Sequence, residues 1–454
     1  MPERPLLLPV ETLNREFDAK LLLALHAAER GWQPVIGERS ALHARLHKFP
    51  PSVYFSKGFR SGKGRLFRII DGLGHAIVGL DEESLVNVSD DMLLLRMDRR
   101  ALAPVRLAFA WGANDARILG LADGLEHKPI IPSGNPRVDL LRPELTGYFA
   151  PEVTKIRNRF DRFALFNTNF AMVNHFLPNR TRFQVAKWVP AERAQEMRSG
   201  LLGHKAKLLE AFLKLLPGLA KALKPDALVI RPHPSENWQI WYDAASDLDN
   251  VHVVHEGNIG PWLAAADVLI HNGCTSAVEA SIIGTPALSY RPVKLPGYDN
   301  DLPNGLSREF EDGKALTAEA VAIVRRRSDT RHELDPGRRA LLNGHVSALS
   351  GRLACERLLD EIEQNADILR PNTNACKRAA ARIQHLMRRT YRKSRKQSVK
   401  ASRHPDYLHH VFPGIASGEV GARIARFQAT LGRFDELAAE EIRPNLFWIV
   451  DRSA

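Results

Sequence analysis

The sequence predicts an α/β protein of two doubly wound, Rossmann-type domains with a helical, basic C-terminal extension. Three observations carry this expectation. Short apolar runs of strand length alternate with longer segments of helical spacing. Most of these runs end in small, polar or glycine-rich turns, as the carboxyl ends of strands in an open α/β sheet do. A chain of 454 residues is also too long for one ordinary core. The boundaries read as 1–150 and 151–330 for the two domains, 331–370 for a helical closing segment and 371–454 for a basic helical tail.

In chain order, Leu6-Leu7-Leu8-Pro9-Val10 is the first buried strand. Residues 11–30 have helical spacing, with Phe17, Leu21, Leu22 and Ala24 on one face, and Gly31 stops the helix. Further strands are expected at 34–37, 52–55, 76–80, 107–110 and 129–131. Pro143, Gly147 and Pro151 mark the passage to the second domain. There, strands are expected at 163–166, 227–230, 251–254, 268–270 and 287–290, with a long helix over about 192–223. Residues 331–369 read as helical, interrupted near Gly344 and Gly351. The end of the chain reads as helical segments and a last apolar run, Leu446-Phe447-Trp448-Ile449-Val450.

Hydrophobic residues make up 44% and charged residues 26%, the balance of a soluble globular protein. No apolar run is long enough to span a bilayer, and the first residues lack a signal-peptide layout, so the cytoplasm is the expected compartment. Cys274, Cys355 and Cys376 show no paired spacing, which argues against a disulfide framework or a cysteine metal site. The net charge is +12, yet the stretch from Lys377 to Arg403 holds eleven Lys or Arg and no acid, which leaves about +1 for the rest. A specific nucleic-acid partner is therefore not expected.

Several turns carry residues suited to chemistry. His271-Asn272-Gly273-Cys274-Thr275-Ser276 joins a strand to a helix. It sets hydroxyls and N–H groups at a helix N-terminus, where a phosphate is favoured; an ordinary Thr or Ser cap is the other reading. Glu279, one turn in, either complements the helix dipole or accepts from ribose hydroxyls. His271 either faces the same site or is a satisfied core histidine. In Arg231-Pro232-His233-Pro234-Ser235 the two prolines restrict the backbone around His233, and Arg beside His suits a phosphate or carboxylate. Asp81-Glu82-Glu83 ends another strand. Its carboxylates repel one another, which favours a raised pKa and a general base there; a solvated acidic turn is the alternative, and a metal site ranks lower. Asn167 and Asn169 either read a sugar or base edge or bond their own backbone. Gly134-Asn135-Pro136-Arg137 is a turn or an acceptor contact, and Lys57 either meets an anionic acceptor or is solvated. There is no P-loop, G-x-G-x-x-G, G-x-S-x-G or H-E-x-x-H pattern. In the tail, Arg382, His385, Arg389, Arg392 and Lys393 interleave with Ile383, Leu386, Met387 and Tyr391. That pattern reads as a surface helix for anionic lipid, with nucleic acid or a solvated arm as the other readings.

Taken together, PVETLNREFDAKLLLAL, VYFSKG, DEES, FAWG, GNPRVDLLRPEL, FNTNF, RPHPSENW and HNGCTSAVEA resemble, in this order, the bacterial surface carbohydrate (surface polysaccharide) biosynthesis protein family of GT-B glycosyltransferases. The resemblance runs over about residues 8–293 and does not cover the tail after about 370. A more distant resemblance is to bacterial sialyl-, polysialyl- and Kdo-transferases that use CMP-sugars. Glu82-Glu83, His233-Pro234 and Thr275-Ser276 match their acidic, His-Pro and hydroxyl pairs, but Ser84 stands where those enzymes have glycine.

The resemblance implies a GT-B-like fold whose two domains face a cleft, with Glu83 as general base and Glu82 as the alternative. The expected donor-binding residues are Asn167, Asn169, Arg231, His233, Pro234, Ser235, His271, Asn272, Gly273, Thr275, Ser276 and Glu279. The expected acceptor-binding residues are Lys57, Asn135 and Arg137. No cofactor or metal is expected. The implied activity builds a cell-surface polysaccharide by moving a sugar, preferably an acidic one from a CMP-sugar, to a glycan or lipid-linked acceptor. The protein would sit in the cytoplasm, peripherally on the anionic inner face of the plasma membrane through 377–403. UDP- and GDP-sugars remain open. A CDP-alcohol-dependent polyol-phosphate transferase, a nucleotide-sugar epimerase and a non-catalytic membrane-associated assembly protein are the alternatives.

Overall fold

A computed structural model of the chain describes residues 5–176, 185, 188–326, 332–371, 374–394 and 411–453. They form two compact units. The first comprises Met1–Ser84, Met97–Leu140 and Val346–Ala454, and the second Leu85–Arg96 and Leu141–His345.

The first unit is built on an eight-stranded sheet. Its strands are β1 (Pro5–Val10), β2 (Gln33–Glu38), β3 (Val53–Ser56), β4 (Ala76–Leu80), β5 (Val105–Phe109), β6 (Ile130–Ile131), β13 (Leu437–Arg443) and β14 (Leu446–Asp451), in the order β13-β14-β2-β1-β3-β4-β5-β6. β1 to β6 are parallel. β1, β3 and β4 are buried along their whole length, which is why they read as unbroken apolar runs rather than alternating ones. The helix Leu13–Glu29 follows β1 and buries Phe17, Leu21, Leu22 and Leu25. Gly31, at φ +77, takes the left-handed turn that returns the chain to β2.

The second unit has a six-stranded parallel sheet: β7 (Phe163–Asn167), β8 (Ala227–Arg231), β9 (Val251–Val253), β10 (Val268–His271), β11 (Ala287–Tyr290) and β12 (Arg308–Phe310), in the order β12-β11-β10-β7-β8-β9. Phe166, Phe170, Phe212 and Trp241 fill one side of it, and Phe163, Leu165, Leu263 and Leu269 the other.

Among the parallel strands of each sheet the strand order reverses once. The reversal falls between β1 and β3 in the first unit and between β7 and β10 in the second. Ligands of open α/β sheets bind at the carboxyl ends of the strands flanking such a reversal.

The end of the chain departs from the expectation of a basic helical tail over 371–454, which leaves its last apolar run, 446–450, without a partner. After the helix Ser417–Leu431, β13 and β14 form an antiparallel hairpin, and β14 pairs antiparallel with β2. The cause is local. β2 would otherwise be an edge strand, and β14 covers it while burying Leu446, Phe447 and Ile449.

Candidate functional site

At the reversal in the second unit, His271 ends β10 opposite Asn167, the last residue of β7. The chain then turns through Gly273 at φ +79 into the helix Thr275–Ile283. The N-cap is Cys274, and its side chain makes no cap hydrogen bond. The first turn therefore lacks the Ser or Thr cap of the ordinary reading, while the dipole and N–H groups still favour an anion. Thr275 is partly exposed at the first helical position.

The neighbouring side chains divide into those that hold the loop and those that face outward. His271 is fully buried, and burial pushes its pKa down to about 3. Its Nδ1 accepts from the Gly273 N–H at 2.9 Å, so the neutral ring carries its proton on Nε2, 2.8 Å from Ser307 Oγ. Ser307 in turn donates to Pro303 O at 2.7 Å. His271 is thus a structural clamp on the turn and not the donor contact expected. Ser276 Oγ is likewise engaged, by Asn167 Nδ2 at 2.9 Å and Cys274 Sγ at 2.7 Å. The Oδ1 atoms of Asn167 and Asn272 are buried with no hydrogen-bond partner among the described residues, a costly state for a polar atom unless something bonds it. Asn272 Nδ2 reaches Asn169 O at 3.3 Å, so Asn169 joins the site through its backbone. Glu279 is buried one turn into the helix.

The loop after β8 corrects a second expectation. Arg231 does not point at an anion site: its guanidinium donates to the carbonyls of Glu256 and Gly257, both at 2.7 Å, and lies 5.5 Å from the Trp262 ring centre. Burial lowers its pKa to about 10. His233 is better placed. Its Nδ1 accepts from the Ser235 N–H at 3.1 Å, which leaves the proton of the neutral ring on Nε2, a donor on a partly exposed side chain. Ser235 is buried and Pro234 exposed.

Two residues that the sequence reading did not single out support this wall. Buried Glu236 accepts from Thr168 Oγ1, Phe170 N, His233 N and Trp241 Nε1, tying the β7 and β8 loops together. Burial raises its pKa despite those bonds. Lys205, on the helix Ala191–Leu223, is buried, and burial lowers its pKa although the charges of Asp299 and Cys274 oppose the shift. A lysine in mid-helix gives no sequence signal of its burial beside the Cys274 turn.

In the first unit the reversal lies beside Lys57. Its Nζ sits 2.7 Å from Glu11 and 2.6 Å from Glu16, and Arg39 pairs with Glu11 at 2.8 Å. Lys20 Nζ lies 2.9 Å from Glu16, 3.3 Å from Glu82 and 2.8 Å from Pro9 O. Burial pushes Glu16 up, but Lys20 and Lys57 more than offset it and hold the carboxyl well below its usual range. Lys57 itself is raised, because its carboxylate partners outweigh burial. It is therefore caged between carboxylates, neither solvated nor turned toward an acceptor.

The acidic turn separates its two candidate bases. Glu82 is buried against Lys20 and lines a cavity of about 10 Å³ with Glu16, Asn135 and Arg137, room for about one water. Glu83 is partly exposed and ion-paired with Arg60, and its N–H is held by Asp81 Oδ1 at 3.1 Å. Ser84 Oγ donates to Asp115 Oδ2 at 2.9 Å, tying the turn to the start of the helix Ala113–Gly120. Asn135 caps the short helix Pro136–Asp139 through its Oδ1, and its buried Nδ2 has no partner among the described residues. Arg137 lies 5.9 Å from the Trp111 ring centre. Among the described residues no three His, Cys, Asp or Glu side chains gather as a metal site.

These two sheets, with their strand orders, make the fold GT-B-like. No protein-family model matches the sequence, and no curated protein matches it. Among solved structures the chain is similar to the wall teichoic acid polymerase TagF, with a TM-score of 0.50 at 12% identity over 81% of this chain and 90% of that one. A TagF variant soaked with CDPG gives the same TM-score and identity, over 81% of this chain and 89% of that one. A weaker likeness, TM-score 0.47 at 12% identity over 80% of this chain and all of the other, is to the UDP-GlcNAc 2-epimerase from Methanocaldococcus jannaschii. At these identities the likenesses define the fold and nothing finer.

Proposed function

We propose that the protein is a glycosyltransferase of cell-surface polysaccharide biosynthesis, of the surface carbohydrate biosynthesis family, using a cytidine-nucleotide-linked donor, by preference a CMP-linked acidic sugar. The observation that carries this reading is the wall at the β7/β10 reversal. A helix N-terminus without an oxygen cap, the partly exposed imidazole of His233 and the Oδ1 atoms of Asn167 and Asn272, which have no partner among the described residues, lie at the carboxyl ends of adjacent strands. The N–H groups, Thr275 and His233 suit the donor phosphate, and the amide oxygens suit hydroxyl or amine donors on the nucleoside or sugar.

In the reaction, Glu83 takes the proton of the acceptor hydroxyl, whose oxygen bonds to the anomeric carbon as the bond from that carbon to the phosphate oxygen breaks. The nucleotide leaves with a growing negative charge, met by His233 and the helix N-terminus. Lys205 adds a cation nearby. Glu83 is preferred to Glu82 because its carboxylate reaches solvent. Arg231, His271, Ser276 and Glu236 position the loops rather than touch the donor.

A second reading, polyol-phosphate transfer from a CDP-alcohol, draws on the likeness to TagF, including the form soaked with CDPG. It uses the same phosphate wall. Glu83→Gln tests the transferase reading: turnover should fall by about 10²–10⁴ while nucleotide affinity stays unchanged. Turnover at the wild-type rate would remove Glu83 from the mechanism.

A further inference from the structure

The helix Ala375–Ser394 is attached by a narrow seam. Ala381 and His385 are its buried positions, and every other described position except half-buried Arg388 is exposed. At the seam, a Cβ on Gly72 would stand 2.8 Å from Ala381 Cβ, so this helix and the helix Gly64–Gly72 touch closely there, and His385 Nε2 lies 2.8 Å from His43 O. The opposite side carries what a helix on a protein surface ordinarily hides. Ile383 is 56% exposed, Met387 65%, Tyr391 51% and Leu386 40%. With Ala379 and Ala380 these residues fall within roughly 140° of arc at 3.6 residues per turn. Exposed Arg382 and Arg389 border the stripe on one side, and Lys377 and half-buried Arg388 on the other. No acid occurs from Lys377 to Arg403; the part after residue 394 lies outside the described residues.

We infer that this helix docks the protein on an anionic bilayer surface, with the apolar stripe in the acyl boundary and the flanking Arg and Lys among the headgroups. Charge complementarity selects this occupant. A second copy of the same helix would bring like charges together along both borders. A nucleic acid would neutralise the cations but leave the stripe in water. A lipid interface satisfies both features at once. Among the described residues no helix is long and apolar enough to cross a membrane, so the helix lies in the surface plane. This inference stands apart from the choice of donor.

The test uses the full chain with vesicles of phosphatidylcholine alone and of phosphatidylcholine mixed with phosphatidylglycerol. Cys376 is exposed and faces the same way as Ile383, whereas Cys274 and Cys355 are buried, so an environment-sensitive dye on Cys376 reports insertion. The expected result is co-sedimentation with the anionic vesicles only, with a blue shift of the dye. Ile383→Asp with Met387→Asp should abolish both. Arg382→Gln with Arg389→Gln should weaken binding roughly thirtyfold, at about fivefold per surface cation. All four side chains are exposed, so an unchanged melting curve will confirm that each variant folds. Several results would overturn the inference: no binding to anionic vesicles, equal binding by the Asp variant, or a dye shift produced by RNA or self-association instead of lipid.

Discussion

Buried charges do different work at different residues. Lys57 and Lys20 bind three carboxylates into one network, and each charge there depends on its partners. Asp115 stands apart. Its Oδ2 accepts from Trp111 N at 3.0 Å and Ser84 Oγ at 2.9 Å, while its Oδ1 has no partner among the described residues. Burial pushes its pKa up to about 7 against those bonds. Because the folded value lies above the unfolded one, the folded state holds a proton that the unfolded state has already lost. Stability tied to this group is full near pH 4 and falls as pH rises toward about 7. Asp115→Asn should therefore match the wild type near pH 4 and exceed it by on the order of a few kcal/mol above pH 7 in urea unfolding. An equal difference at both pH values would count against a protonated Asp115.

Among the elements, the hairpin of β13 and β14 makes the least expected contribution. Phe447 is fully buried where β14 pairs with β2. Phe447→Ala should cost about 3–5 kcal/mol, read as earlier unfolding in denaturant, whereas an independent tail would lose nothing. The contrast with the rest of the fold has a physical basis. β1, β4, β7 and β10 announce themselves because both faces are buried and polar turns follow. β13 is Leu-Ala-Ala-Glu-Glu-Ile-Arg, which favours a helix; only pairing with β14 makes it a strand. The site divides the same way. Which turns follow which strands was legible, so the turns that carry His233, Thr275 and Glu83 could be placed at strand ends. Side-chain direction was not. Arg231 spends its donors on two carbonyls, Lys57 sits between two glutamates, and His271 clamps its own turn. Glu236 and Lys205 gave no signal, because their burial depends on elements distant in sequence.

At the scale of the whole molecule, three buried histidines set the acid limit. Burial lowers His26 and His75 to about 4 and His271 to about 3. Below about pH 6.5 the unfolded chain gains protons at these sites and the folded chain does not. Stability should therefore fall from about pH 6.5 toward 4, by on the order of a few kcal/mol per residue at the limit, because the loss at three rings exceeds the opposing gain at Asp115. Melting temperature against pH checks this, and a flat profile between pH 6.5 and 4 would show that these rings are not held neutral.

The central claim is that the turn from His271 to Ser276, with His233, binds a cytidine nucleotide. The direct measurement is thermal stabilisation by CMP, CDP, UDP and GDP, on the wild type and on His233→Ala and Thr275→Ala. Stabilisation by CMP or CDP should reach about 2.7 kcal/mol at about a hundredfold excess over Kd. UDP and GDP should give clearly less, and both variants should lose most of the effect. Equal shifts with all four nucleotides, or undiminished shifts in the variants, would contradict it.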